Sequence, residues 1–289
     1  MKLYYLAFAL MAGVPAWADS AVYSSLPAPL PPNTPSEGYE AQSLAEFGDL
    51  VQLANGPAVL LSATVAMSDW AYESEFSGSL NGSTITPDGF YVPLTLTLYS
   101  VGAGNSVGLP IQAFNLDALI PWRPEPNPTG CPTGPDYPNN INNQWQASNG
   151  TCYNGALSTV TFDLGSILAP GQFIYGLAFD TTNYGSHPTN VAGPYDSLNF
   201  GVTPAASGPS VGSNPVGYNY VAQHGGGFGP SGYDSSSIGQ IEFDSTPEPA
   251  NMTLAGMALL GLFLGLRRAR SRAQQRLPRA GRLGVPAQG

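Results

Sequence analysis

The chain has 289 residues, with nine basic against 19 acidic side chains, a formal net charge of −10, two cysteines and two histidines, and abundant glycine and proline. Lys2 and seven arginines beyond residue 266 lie near the ends, so Arg123 is the sole cation between Asp19 and Glu248, a stretch that holds every acidic residue and a charge of about −18. Such a body excludes nucleic-acid binding, which depends on Lys and Arg displacing counterions from phosphates, and it disfavours acidic polysaccharide unless divalent cations bridge the two.

The N-terminus opens with Lys2, runs through the almost wholly apolar Leu3 to Met11 and reaches Ala16-Trp17-Ala18, a small-x-small cleavage site before Asp19. This order predicts a secretory signal peptide over residues 1–18, removed by signal peptidase after Ala18. The apolar run is far shorter than the ~20 residues of a spanning helix. Residues 19–39, proline-rich from Leu26 to Pro35, read as an extended leader, and the folded domain is expected over residues 40–245.

Within that domain the periodicity is that of strands. Ala58 to Met67 is more continuously apolar than its neighbours, as a central strand would be. Leu94, Leu96 and Leu98 alternate with Thr95, Thr97 and Tyr99; Val160, Phe162 and Leu164 alternate with Thr161 and Asp163. Phe173, Tyr175, Leu177 and Phe179 make a further row, and Ser197 to Val202 and Ser236 to Phe243 read as shorter strands. Asn55-Gly56, Asn81-Gly82, Asn149-Gly150 and Asn154-Gly155 are turn signals between such runs. No segment shows helical spacing. The expected fold is all-β, an antiparallel β-sandwich of jelly-roll-like type, with Pro121 to Gly155 and Thr203 to Gly232 as long surface loops.

Cys131 and Cys152 are the only cysteines, and in an exported chain they are expected to pair. Closing a loop of about 20 residues, the bridge is worth ~3 kcal/mol in the chain-entropy account. In and beside that loop lie Trp122, Tyr137, Trp145 and Tyr153, among prolines and asparagines. Aromatic faces with amide donors suit glycan binding, because rings stack on the C–H faces of sugars while hydroxyls take hydrogen bonds; the same rings can simply anchor a long loop to the sheet.

Signatures of catalysis are weak. Gly104 to Gly108 and Gly208 to Gly212 match G-x-S-x-G, but a nucleophile elbow needs a following helix and none is expected. His187 and His224 sit in loops without further ligands nearby. Asp69, Glu73 and Glu75 offer carboxylates of the kind a glycosidase uses, yet an acidic body accounts for them equally well. Asp180 and Asn183, with Asp136, Asn139 and Asn140, are oxygen donors able to hold Ca²⁺, though not in an EF-hand register; no other cofactor is expected.

At the C-terminus Pro247-Glu248-Pro249 is followed by an apolar stretch, residues 250–266, and then by Arg267, Arg268, Arg270 and Arg272. The stretch is at the lower end of the ~17–25 residues of a single transmembrane helix, and the arginines place its far end in the cytoplasm. Gly261 and Gly265 make a small-xxx-small pair, a spacing that chance also produces in such a segment. The two prolines hold Glu248 in an extended segment suited to capture by a protease. In this order and spacing, Thr246 to about Arg272 resembles the tail of PEP-CTERM sorting-domain proteins of Gram-negative bacteria. The resemblance implies recognition of Pro247, Glu248 and Pro249 by exosortase, a membrane-embedded, cysteine-protease-like enzyme that removes the anchor, and an association with the cell surface or exopolysaccharide. Residues 273–289 extend beyond the family's pattern as a basic cytoplasmic tail. The expected protein is exported and non-enzymatic, passing through an inner-membrane-anchored intermediate to the cell surface or extracellular matrix. The second reading is a glycan-binding module and the third a secreted hydrolase built on carboxylates.

Overall fold

Strands dominate because alternating side chains bury one face of nearly every apolar run. The computed structural model describes residues 20–76, 85–131, 143–223, 225–231 and 237–246. The expected signal peptide with Ala16, Ala18 and Asp19, the expected sorting signal Pro247, Glu248, Pro249, Arg267, Arg268 and Arg270, the apolar stretch 250–266 and the tail 273–289 lie outside the described residues. So do Asp136, Tyr137, Asn139, Asn140 and His224.

In chain order the elements begin with β1 (Ser20–Ser24), β2 (Ser36–Gly38) and a four-residue helix α1 (Tyr39–Gln42). Next come β3 (Leu44–Gln52), β4 (Ala58–Asp69), a second short helix α2 (Glu73–Phe76), β5 (Ile85–Thr86), β6 (Gly89–Val101) and β7 (Val107–Pro121). They are followed by β8 (Trp145–Gln146), β9 (Cys152–Tyr153), β10 (Ala156–Ala169) and β11 (Gln172–Phe179). The last are β12 (Leu198–Pro204), β13 (Tyr220–Gln223), β14 (Gly229–Pro230), β15 (Ser237–Gly239) and β16 (Ile241–Ser245).

The fold is all-β, with two seven-stranded antiparallel sheets packed in a sandwich-like arrangement and a separate two-stranded β8–β9 ribbon. In the first sheet β4 is central. β10 runs along one edge of it from Ala156 opposite Asp69 to Ala169 opposite Ala58. The other edge is shared between β16, with Ile241 opposite Val65, and β12, with Leu198 opposite Asp69. The second sheet runs β14, β13, β3, β11, β6, with β7 along the outer edge of β6.

Inner faces meet through aromatic rings. Phe243 of the first sheet stands edge-on to Phe173 and Tyr175 of the second, at 5.1 and 6.0 Å between centroids, and Phe200 meets Phe47 at 5.9 Å. Such pairs add to the burial of large apolar area. Between the layers lies one buried carboxylate, Asp49. It accepts hydrogen bonds from the Tyr175 hydroxyl at 3.0 Å, the Gly239 backbone N–H at 2.7 Å and the Asn219 side-chain amide at 2.8 Å. A charge in this place is tolerable because its lone pairs are taken up by donors from both sheets.

The alternating rows behave as expected: Leu94, Leu96 and Leu98, then Val160, Phe162 and Leu164, then Phe173, Tyr175, Leu177 and Phe179 all enter the core. Two expectations need correction. Residues 19–39 are not a free leader: Ser20–Ser24 pairs with β16, Tyr23 is wholly buried, and Pro32 and Pro35 accept backbone bonds from Leu157 and Val202. Thr203 to Gly232 is not only loop, since Tyr220–Gln223 pairs with β3 and the Tyr220 ring lies buried with Leu50 and Ile174. Both strands are too short for alternation to be distinguished from chance, and their partners lie far away in sequence.

Because Phe243 is completely buried among three rings, Phe243→Ala is expected to cost about 3–5 kcal/mol, measured by urea denaturation of the full chain. Glu46 supplies a pH dependence. Its half-buried carboxyl accepts a 2.8 Å bond from Tyr99 and is raised from 4.5 to about 7, burial outweighing that bond. A raised carboxyl favours folding most below its unfolded value, and this contribution is lost as pH rises through about 7. Glu46→Gln is therefore expected to flatten the fall in melting temperature between pH 4.5 and 7; an unchanged profile would count against the assignment.

Candidate functional site

The central strand β4 ends at Asp69 and delivers Trp70, Ala71 and Tyr72 to one end of the sandwich. The chain leaving β7 returns beside them. There the Arg123 backbone N–H donates to the Ala71 carbonyl at 3.1 Å. Its guanidinium is buried: Nε donates to the Trp70 carbonyl at 2.7 Å, Nη1 to the Pro124 carbonyl at 2.9 Å, and the group lies 4.5 Å over the Tyr72 ring. The body's one cation is thus committed to holding two loops together, by hydrogen bonds and a cation–π contact.

Asp69 lies beneath it with no exposed surface. One oxygen accepts the Ala71 N–H at 3.0 Å and the other has no partner among the described residues. Burial pushes this carboxyl well above the usual range, against the pull of the Ala71 N–H and Arg123. Glu75, exposed on α2, is raised by partial burial, with Arg123 opposing. Glu73 is exposed at the start of the same helix. The three acidic residues therefore occupy different environments, with Asp69 sealed from solvent.

Above Trp70 stands the disulfide loop. Cys131 and Cys152 are bonded, 5.8 Å apart at Cα. Asn127 receives the Cys131 N–H on its backbone carbonyl at 2.8 Å and the Gly130 N–H on its side chain at 2.9 Å. Gly150 turns the β8–β9 ribbon at φ +84°, a conformation glycine adopts freely. Across that ribbon Trp145 faces Tyr153, with ring centroids 5.7 Å apart. The Trp145 indole N–H donates to the Gly155 carbonyl at 2.7 Å. Gly155 in turn carries the edge of Trp70, since a Cβ there would fall 2.6 Å from Trp70 Cδ1. The Trp70 indole N–H donates to Ser68 Oγ at 3.2 Å, and Ser68 donates to Asn33 at 2.8 Å.

These contacts shape a groove of about 380 Å³ lined by Asn33, Ser36, Trp70, Gln144, Tyr153 and Asn154, among others. A smaller recess of about 120 Å³, walled by Tyr72, Glu75 and Arg123, shares Trp70 and Asn154 with it. The groove's dimensions fall within the ~300–1,000 Å³ of small-molecule sites.

The ring residues singled out from the sequence separate. Trp122 is not in the groove: it packs at 5.2 Å from Phe90 and 6.1 Å from Phe76, with its N–H on the Thr86 carbonyl at 2.9 Å. Trp145 braces the groove from behind, and Tyr153 lines it. Trp70, Asn33 and Gln144 carry no motif in the sequence, and Asn154 reads there only as part of the Asn154-Gly155 turn; the one cue for Trp70 is its position three residues past the apolar run that ends at Met67. The Ca²⁺ candidates are engaged locally, Asp180 accepting from Ser186 and the His187 N–H and Asn183 donating to Glu40. Among the described residues no group of three or more His, Cys, Asp or Glu is placed to hold a metal. In the first G-x-S-x-G match Ser106 sits in a turn and bonds the Ala103 carbonyl, and in the second Ser210 bonds the Ser24 carbonyl.

No protein-family model matches the chain, and neither a curated protein nor a solved structure is detectably similar to it.

Replacing both cysteines by serine frees a loop of sequence separation 21, for which about 3 kcal/mol of stabilisation is expected to be lost. Thermal melts of the double variant beside the wild type check this.

Proposed function

We propose that this chain is an exported, non-enzymatic protein of the cell surface or extracellular matrix, with a jelly-roll-like body delivered through a PEP-CTERM-like sorting signal. The observation that carries this reading is the order Pro247-Glu248-Pro249, apolar stretch, arginine cluster, behind an N-terminal segment with the features of a signal peptide. The Cys131–Cys152 bridge agrees with an oxidising compartment. A body with 18 acidic residues between Ala18 and Pro247 and one buried arginine suits a soluble, self-repelling life outside the cell. A structural or binding role is further supported by the groove, whose lining among the described residues has no carboxylate, histidine or amine to move protons.

In this reading signal peptidase cuts after Ala18. An exosortase-like enzyme then recognises the Pro247-Glu248-Pro249 segment while residues 250–266 hold the chain in the inner membrane. Intact-mass analysis of the protein from its native host, beside Glu248→Ala, tests it. The wild type is expected to end near Pro247 and the variant to keep Arg267 to Gly289. Retention of the arginine tail by both would make residues 250–289 a plain membrane anchor and overturn the sorting assignment.

A further inference from the structure

We propose that the groove over Trp70 binds an uncharged saccharide chain. The inference goes beyond delivery and does not depend on the sorting signal.

Charge decides the class of ligand. The lining side chains are amides, hydroxyls, two aromatic rings, a proline and a half-cystine. Arg123, the only cation of the body, is buried in the neighbouring recess with its guanidinium bonded to two carbonyls. No described residue of the groove offsets the body's negative charge, so uronates, sulfates and phosphates are repelled. A cationic ligand finds no carboxylate among the described lining residues either, Glu75 belonging to the smaller recess. What remains is a neutral, hydroxyl-rich molecule with apolar C–H faces.

The groove is built in advance for such a molecule. Trp70 is held by its N–H on Ser68 and by the close approach of Gly155, whose carbonyl is held by Trp145. Tyr153 is set by the same Trp145 ring and by the disulfide at its neighbour Cys152. The opposite wall, Asn33 to Ser36, is fastened at Pro32 by Leu157, at Thr34 by the Gln240 amide and at Pro35 by Val202. Rings fixed in this way lose little entropy when they stack on a ligand. Against them stand unspent polar groups. The side chains of Gln144 and Asn154 have no hydrogen-bond partner among the described residues, and Asn33 uses its oxygen towards Ser68 but not its NH₂. Each such amide offers donors and an acceptor to sugar hydroxyls.

The test is titration calorimetry of the full chain in detergent buffer with neutral hexasaccharides of glucose, mannose and xylose, and with polygalacturonate as the acidic comparison. At least one neutral hexasaccharide is expected to bind, polygalacturonate not to compete, and Trp122→Phe, remote from the groove, to bind as the wild type does. Trp70→Ala is expected to weaken binding by about tenfold or more, and Gln144→Ala by about fivefold, the scale of a lost stacking face and a lost hydrogen bond. Gln144 is a half-buried loop residue whose truncation leaves the core intact, so it decides the matter should Trp70→Ala fail to fold. The proposal is overturned if no neutral hexasaccharide binds the folded wild type, if Gln144→Ala with an unchanged melting temperature binds equally well, or if the acidic polymer is preferred. Processing at Glu248 is read by mass and binding by heat, so failure of one reading leaves the other standing.

Discussion

Everything in the described body hangs on the strand Ala58–Asp69. It is hydrogen-bonded along both edges, to β10 on one side and to β16 and then β12 on the other. A strand in that position has no polar backbone left over for solvent, which is why its sequence is nearly continuous in apolar and small side chains. The change of partner along its second edge is bridged by Gln240. Its backbone accepts the Ala66 N–H and donates to Gly201, while its side chain reaches Thr34, Val202 and Thr203. One glutamine thus joins the last strands to the segment that walls the groove. The end of β4 is consequently held, and Trp70 with it.

The same economy of charge runs through the core and the site. Asp49 is surrounded by donors from both sheets, Asp69 is buried against Arg123, and Arg123 is spent on carbonyls and the Tyr72 ring. With no lysine in the body there is no mobile cation to neutralise an incoming anion. The described lining of the groove is made of amides, hydroxyls and rings, groups that interact by hydrogen bonds and stacking rather than by ion pairing. The disulfide acts at the same end by joining Cys131 to Cys152, the first residue of β9.

Much of the fold could be read along the chain. The rows at Leu94, Val160 and Phe173 were legible because each keeps a period of two over several residues and each buries one face. The cystine was legible because the chain has two cysteines and each has only the other to pair with. Tyr23 and Tyr220 were not: each belongs to a strand of five residues or fewer, whose burial depends on partners about 170 to 220 residues away. Nor was the groove. Trp122 looked equivalent to Trp145 and Tyr153 in composition and spacing, but only its neighbours Phe76 and Phe90 reveal that it serves the core.

The sequence by itself determined the strand-rich class, the acidity of the body, the cysteine pairing and the candidate export signals, because each rests on residue type, order or local period. Only the tertiary structure decided which segments wall the groove. Asn33, Trp70 and Tyr153 come from three distant stretches of chain, and they meet because β4 and β10 pair with Asp69 opposite Ala156. Register across a sheet is a long-range choice, set by which apolar faces can be buried together, and no local pattern encodes it.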